Sequence, residues 1–340
     1  MALKYVGRAV VGGALGFFTF APALSQEMYK GKTVEILVGF AAGGGYDAYG
    51  RALSQVFGKH LPGSPSVVIR NMPGAGSLVA VNHIASVAPK NGQVLAIFDP
   101  TLMIAPMLGE QNAKYNPTEL VWVGSMAKGY NVCITWRDSG VASWEDLFRP
   151  GKPIAMGATG PSDARYQHTA IMRNMFGANL QIIPGYKGSS DVRLAMERGE
   201  IVGNCGDSWS SLKSTAADWV REKKINVVAQ FSVSKHPELQ DVVTIVERAK
   251  SETDRAALRL LLGPQEAGRP FIAPPGTPAE YVKALRSGFA DSMRDPVLLE
   301  FAQKANLELS PVSGEEIEKL VSELNKTSRD AVEAVKSATK

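Results

Sequence analysis

The chain has 340 residues, of which 45% are hydrophobic and 21% are charged, and its formal net charge at pH 7 is +4. This length corresponds to roughly two ordinary domains, and the composition is that of a globular protein. A net charge this close to zero does not indicate the basic surface that binds nucleic acid, so we expect no nucleic-acid partner. Two cysteines, Cys133 and Cys205, are too few for a disulfide-built scaffold, and the sequence leaves open whether they pair or are simply buried.

The N-terminus has the pattern of an export signal. Lys4 and Arg8 precede an apolar run over residues 9–20, and small residues follow up to Ser25. We expect residues 1–25 to be a signal peptide cleaved near Ser25-Gln26. Cleavage removes two basic residues and no acidic one, so the net charge falls from +4 to +2. The alternative is a retained membrane anchor, but the apolar run is too short and too interrupted to span a bilayer comfortably.

The first part of the exported chain alternates strand-like and helix-like segments. Apolar β-branched runs and helical spacings predict, in order, strand 34–38, helix 47–60, strand 66–70, helix 77–88 and strand 94–98. This order predicts a parallel sheet with helices on its faces. Ligands of such sheets bind at the carboxyl ends of the strands, where loops lead into helix N-termini.

A second α/β unit follows. The pattern predicts strands at 131–135, 153–158, 181–184, 201–205 and 226–229, and helices at 144–148, 162–176, 190–198 and 211–222. The C-terminal third is mostly helical, with helices at 278–293 and 315–337 that we expect to pack on the first unit. The first domain is therefore predicted to be discontinuous, residues 26–127 and 231–340, with residues 128–230 as the second domain. The predicted hinge lies near residues 125–130 and 230.

The loop after the first strand is glycine-rich. Residues 43–48 fit the spacing of a loose dinucleotide fingerprint, G-x-G-x-x-G/A. Backbone N–H groups in such a loop, together with the positive end of the following helix, form a site for an anion. A tight turn with Asp47 as the N-cap of the helix is a compatible alternative. Three observations disfavour a dinucleotide: Arg70-Asn71 stands where an acidic residue should contact the ribose, Asp47 would lie close to a pyrophosphate, and the chain is exported.

The second unit contains a similar strand-to-helix loop. The hydroxyls of Thr159 and Ser162 and the N–H of Gly160 could hold an oxygen of the ligand, and the alternative is that Ser162 or Asp163 only caps the helix. Two anion-binding helix starts on two units predict a cleft that closes over a small acidic solute. Arg165 could reach a carboxylate with two hydrogen bonds, but we predict that it lies on a solvated helix face. The histidines are isolated and no Ser/His/Asp set stands out, so we expect no catalytic residues, no metal and no cofactor.

Four stretches carry a family resemblance. They are Gly39-Phe-Ala-Ala-Gly-Gly-Gly-Tyr-Asp47 with Arg51, Arg70-Asn-Met-Pro-Gly-Ala-Gly-Ser77, Tyr186-Lys-Gly-Ser-Ser190 and Ala273-Pro-Pro-Gly-Thr-Pro-Ala-Glu280. In this order they resemble the signature stretches of the extracytoplasmic solute receptors of tripartite tricarboxylate transporters, also called the Bug family. The resemblance covers nearly all of the mature chain.

The resemblance implies a two-domain α/β protein with the type II periplasmic-binding-protein fold and a hinged interdomain cleft. It implies a periplasmic binding protein, not an enzyme, that delivers a small carboxylate to a permease of one large and one small membrane subunit. We expect this receptor to be a monomer. Two alternatives stay open: a receptor that presents the same carboxylate-bound form to a signalling partner, and, from the fingerprint alone, a nucleotide-dependent oxidoreductase.

The resemblance also implies the ligand-binding residues. The implied set is Ala42, Gly43, Gly44, Tyr46 and Asp47 in the first domain and Thr159, Gly160 and Ser162 in the second, with Thr101 and Asp207 as further wall residues. The chain departs from the family pattern at Tyr46, where a small hydroxyl residue is usual. Pro161 also removes one N–H donor from the second helix start. Both departures concern which carboxylate binds rather than whether one does.

Overall fold

The computed structural model describes Met1 and residues 27–339, so the predicted signal peptide lies, apart from Met1, outside the described residues. The strands of the described chain are β1 (Thr33–Val38), β2 (Ser66–Asn71), β3 (Val94–Ile97), β4 (Val121–Ser125), β5 (Asn131–Trp136), β6 (Ile154–Gly157), β7 (Leu180–Ile183), β8 (Gly203–Ser208), β9 (Ile225–Phe231), β10 (Pro270–Ala273) and β11 (Val312–Ser313). The α-helices are α1 (Gly45–Phe57), α2 (Leu78–Ser86), α3 (Ala164–Ile171), α4 (Ser189–Glu197), α5 (Trp209–Thr215), α6 (Ala217–Arg221), α7 (Glu252–Leu262), α8 (Ala279–Ser292), α9 (Pro296–Lys304), α10 (Gly314–Leu324) and α11 (Arg329–Thr339). Of these helices, none combines the length and the apolar character that crossing a membrane requires.

The first sheet has the strand order β11-β4-β10-β3-β1-β2. β1 pairs in parallel with both β2 and β3, as the alternating pattern predicted. β10 lies antiparallel between β3 and β4, and the sequence pattern predicted neither β4 nor β10. The N-terminal end of β10 therefore lies at the same edge of the sheet as the carboxyl end of β3. This edge faces the second domain.

The second sheet has the order β7-β6-β8-β5-β9. β6 is parallel to β7 and β8, whereas β5 is antiparallel to β8 and β9. The chain passes from the first sheet to the second between Ser125 and Asn131 and returns between Phe231 and Pro270. The domain boundaries near residues 127 and 231 stay a prediction.

Cys133 and Cys205 are joined by a disulfide bond. They are register partners on the antiparallel strands β5 and β8, and both are fully buried. The disulfide therefore crosslinks the centre of the second sheet. The sequence could not decide this point, because it does not give the register between two strands about seventy residues apart.

Two predicted helices are each interrupted. The segment predicted as one helix over 211–222 is α5 and α6, separated at Ala216, whose backbone is not helical (φ −145°, ψ 43°). The segment predicted as one helix over 315–337 is α10 and α11, and the Ser328 hydroxyl accepts a hydrogen bond from the Ala331 N–H at the start of α11 (3.4 Å). α8 and α10 pack on β4 of the first sheet as expected, but α11 packs against α7 and α3 and so also contacts the second domain.

Candidate functional site

The glycine-rich loop of the first domain is folded back onto its own helix by Asp47. The Asp47 carboxylate accepts hydrogen bonds from the Gly43 N–H (2.9 Å), Arg51 Nε (2.8 Å) and Asn71 Nδ2 (2.9 Å). Burial by itself would raise the pKa of Asp47, but these hydrogen bonds hold it below its usual value. The N-cap of α1 is Gly44, so Asp47 is not the N-cap. Its carboxylate fixes the shape of the loop and stays ionised there.

The loop of the second domain uses the same device at the same spacing. The Thr159 N–H donates to Asp163 (3.1 Å), four residues later, and the Thr159 hydroxyl bonds the same carboxylate. Asp163 is also the N-cap of α3, where it accepts from the Tyr166 N–H (3.0 Å). Ser162 is therefore not the cap, and its hydroxyl instead donates to Glu110 of the first domain (2.7 Å).

The two domains meet through these loops. The Ala41 N–H donates to the Lys187 carbonyl (3.2 Å), and the Ser190 hydroxyl donates to the Ala42 carbonyl (3.3 Å). At the other end of the interface, the Thr101 hydroxyl donates to the Ser162 carbonyl (2.9 Å). The loop of each domain thus lies against a loop of the other.

Glycines allow this close approach. A Cβ added at Gly76 would lie 2.6 Å from Asp163 Cβ, and one added at Gly45 would lie 1.8 Å from Ser211 Oγ. Gly76 has a positive φ of 64°, which also favours glycine at this turn. Backbone from each domain therefore approaches the other more closely than residues with side chains would permit.

Tyr46 lies between the charged groups of the two domains. Its ring stacks on Phe40, with centroids 4.6 Å apart, and the Arg269 guanidinium lies 4.6 Å from its centroid on the same interface. Burial raises the pKa of the Tyr46 phenol, Asp99 raises it further, and Arg269 and Arg165 oppose this shift. Tyr46 is therefore neutral at physiological pH and lies at the domain interface.

Asp207 is completely buried and is the counter-ion of two arginines. Arg193 approaches it through Nε (3.2 Å) and Nη2 (3.1 Å), and Arg165 Nη2 lies 3.4 Å away. Burial alone would raise the pKa of Asp207, but Arg193 and then Arg165 hold it below its usual value. A carboxylate held in this way orients Arg165 and Arg193 across the base of the site.

The prediction that Arg165 lies on a solvated helix face is wrong, because the side chain is 3% exposed. The reason lies in the neighbouring strand. Gly206 on β8 has no side chain, and a Cβ there would lie 2.8 Å from the Arg165 backbone. α3 therefore packs directly on β8, and Asp207, the next residue of that strand, supplies the counter-charge for the buried guanidinium.

The residues predicted to bind the ligand form two groups in the structure, and one residue lies apart from both. Ala42, Gly43, Gly44, Tyr46 and Asp47 surround the first loop, whereas Thr101, Thr159, Gly160 and Ser162 meet at the second. Asp207 lies apart, behind Arg165 and Arg193.

The predicted ligand set omits four polar residues that lie at the same interface, namely Asp99, Ser189, Ser211 and Arg269, although Ser189 belongs to the signature stretch of residues 186–190. Asp99 follows β3 and Ser189 follows β7, so their positions at carboxyl strand ends were an available signal. Arg269 carried no such signal. It precedes β10, and only the antiparallel pairing of β10 brings it to this edge.

Two α/β domains, each with a mixed sheet, facing each other through strand-to-helix loops, define the fold of a periplasmic binding protein. The periplasmic binding protein BugD shares it (TM-score 0.72, 22% identity, 90% of this chain and 97% of that chain). MatC from Rhodopseudomonas palustris with bound malate also shares it (TM-score 0.68, 17% identity, 91% and 99%). So does a second R. palustris protein, solved with adipate (TM-score 0.67, 21% identity, 88% and 97%).

The amino-acid sequence identifies the family. The tripartite tricarboxylate transporter family receptor (TctC) profile matches residues 51–336. The chain therefore belongs to the TctC family of periplasmic solute-binding receptors. This is a family of binding proteins and not of enzymes, which sets aside the oxidoreductase alternative.

Proposed function

We propose that this chain is an exported receptor that captures a small carboxylate between its two domains and delivers it to a tripartite tricarboxylate-type permease of one large and one small membrane subunit. The observation that carries the proposal is the pair of equivalent loops. In each domain an aspartate, Asp47 or Asp163, accepts a hydrogen bond from the N–H four residues earlier and so folds a strand-to-helix loop that brings the start of a helix to the interface. A helix start favours an anion.

Contacts that join the domains support capture by closure. The Ala41–Lys187 and Thr101–Ser162 hydrogen bonds form only when the domains lie together. A ligand held by both loops binds this closed arrangement better than an open one, and that difference in affinity is what drives closure. The connections near residues 125–130 and 230 are the proposed hinge.

Similar proteins support the choice of a carboxylate. Two structures with this fold contain malate and adipate, both dicarboxylates. In this chain the proposed ligand contacts are those of Ala42, Gly43, Gly44, Tyr46 and Asp47 on one side and Thr159, Gly160 and Ser162 on the other. Thr101 and Asp207 act at the wall, Asp207 through Arg165.

A thermal-shift screen of the purified mature protein tests the capture step. Lactate, malate, adipate, citrate and benzoate represent mono-, di-, tri- and aromatic carboxylates. A ligand present at a hundred times its Kd stabilises the folded form by about 2.7 kcal/mol, so the correct acid raises the melting temperature measurably. A panel in which no carboxylate shifts the transition contradicts the proposed ligand class.

A separate experiment tests delivery of the carboxylate to the permease. Uptake of the radiolabelled acid by cells should depend on this protein. Uptake that is unchanged in a deletion strain, for an acid that the purified protein binds, would favour the sensing alternative over transport.

A further inference from the structure

Among the described residues, Arg269 is a buried cation with no carboxylate within ion-pair distance. It is 3% exposed and lies just before β10 at the domain interface. Within residues 27–339 its guanidinium donates only to the Gly268 carbonyl (2.8 Å) and to the Ser211 hydroxyl of the second domain (2.8 Å), and its Nε–H has no partner. A guanidinium carries five N–H donors, so most of them are available. Burying a charge without a counter-charge is unfavourable.

The groups that contact Arg269 within the described residues carry no negative charge. The guanidinium lies 4.6 Å from the Tyr46 ring centroid and 4.9 Å from that of Tyr49, both on the N-terminal half of α1. A Cβ at Gly45, the first residue of α1, would lie 3.7 Å from Arg269 Nη2. The guanidinium therefore lies against the positive end of the helix dipole. The faces of the two tyrosine rings offset part of the free-energy cost of burying the guanidinium, but they supply no net negative charge.

The other buried arginines at the interface are already paired. Arg193 and Arg165 share Asp207, and Arg165 also donates to Ser189 (2.5 Å). Arg269 differs from them in having no carboxylate within ion-pair distance among the described residues, and Asp207, which already pairs with two arginines, acts on it only from farther away. Its position, between the loop of the first domain and Ser211 of the second, is where a ligand bound between the domains would supply a close counter-charge.

We propose that Arg269 is a ligand-binding residue that holds one carboxylate group of the solute through its free N–H donors. The proposal rests on the function proposed above and names the residue that recognises the anionic group. Tyr46 and Tyr49 hold the plane of the guanidinium, so its N–H edge is fixed in orientation before the ligand arrives. Because Ser211 bonds the same guanidinium from the second domain, the carboxylate on Arg269 also stabilises the closed arrangement.

The test compares Arg269→Gln and Arg269→Met with wild type by isothermal titration against malate, adipate, citrate, lactate and benzoate. Arg137→Gln is the matched control, because Arg137 pairs with Asp138 beyond the end of β5 that lies away from Asp207. For each acid that wild type binds, Arg269→Gln should raise the Kd by about 100-fold, the range found when one partner of a buried charge pair is lost. Arg137→Gln should leave the Kd unchanged.

Melting of the ligand-free proteins separates a binding role from a structural one. Arg269→Met removes an unpaired buried charge, so its ligand-free melting temperature should equal or exceed that of wild type. A ligand-free melting temperature several degrees below wild type, or an unchanged Kd in Arg269→Gln, overturns the proposal while leaving the proposed function intact. Wild-type protein that binds none of the five acids overturns both.

Discussion

Replacing Gly45 by alanine introduces a methyl group at the contact between α1 and α5. The added Cβ would lie 1.8 Å from Ser211 Oγ and 2.6 Å from Ser211 Cβ, whereas real Cβ atoms essentially never approach closer than 3.0 Å. Rotating the Ser211 hydroxyl relieves only the first overlap. Since the Ser211 Cβ is fixed to α5, the second overlap requires α5 to move away from α1, which separates the domains.

The size of the effect follows from the cost of overpacking. One extra methyl in a filled space costs about 1–3 kcal/mol. If the domains meet in this way only when ligand is bound, the whole cost falls on binding and the Kd rises by about 5- to 150-fold. The ligand-free melting temperature should not change, because the open form has no overlap.

Titration calorimetry with the acid found in the thermal-shift screen measures this effect. The double variant Gly45→Ala with Ser211→Gly removes both overlapping atoms of Ser211, so it should bind more tightly than Gly45→Ala alone. A Gly45→Ala protein with an unchanged Kd would refute the claim that the bound domains approach as closely as they do here. So would a lowered melting temperature without any change in Kd.

Three further predictions concern the loop and the framework. Asp47→Ala leaves the Gly43 N–H without its acceptor and Asn71 with only the Phe40 carbonyl, and it should weaken carboxylate binding without unfolding the protein; an unchanged Kd by calorimetry would restrict Asp47 to a structural role. Reduction of the Cys133–Cys205 disulfide, which closes a segment of 72 residues, should lower the free energy of unfolding in urea by about 4 kcal/mol, and equal stability with and without reductant would contradict this. Burial would raise the pKa of Asp295, but Lys59 and His60 lower it to about 2, so its stabilising contribution is present above about pH 4 and is lost as the pH falls toward 2. Asp295→Asn keeps an N-cap oxygen for α9 but loses the charge, so it should lower stability in urea at pH 7 and show a gap to wild type that narrows toward pH 2; a gap independent of pH would contradict this electrostatic contribution.

The sequence predicted the parts of the fold that depend on local pattern. The alternation of apolar runs and helical spacings was enough for β1, α1, β2, α2 and β3 and for their parallel pairing. It was not enough for β4 or β10, which are only five and four residues long and which pair antiparallel with partners distant in sequence. Short strands of this kind are defined by the sheet that they complete rather than by their own residues.

The same distinction holds for the site. The glycine loop and its downstream aspartate could be found in the sequence because the Gly43–Asp47 spacing is local. The burial of Arg165 could not, because it depends on Gly206, a residue of another strand. The position of Arg269 at the interface is set by the antiparallel direction of β10 and by two tyrosine rings more than two hundred residues earlier in the chain. Only the tertiary structure brings these parts together.

Hydrogen–deuterium exchange with and without the carboxylate found in the screen tests the central claim most directly. The account predicts that ligand slows exchange of amides in both interface loops, residues 39–47 of the first domain and 159–163 of the second, because closure and N–H contacts to the anion protect both. A separate groove between α8 and α10, lined by Val282, Arg286, Gly314 and Glu318, should not change. Protection confined to one loop, or protection of this groove with both loops unchanged, would contradict capture of the ligand between the domains.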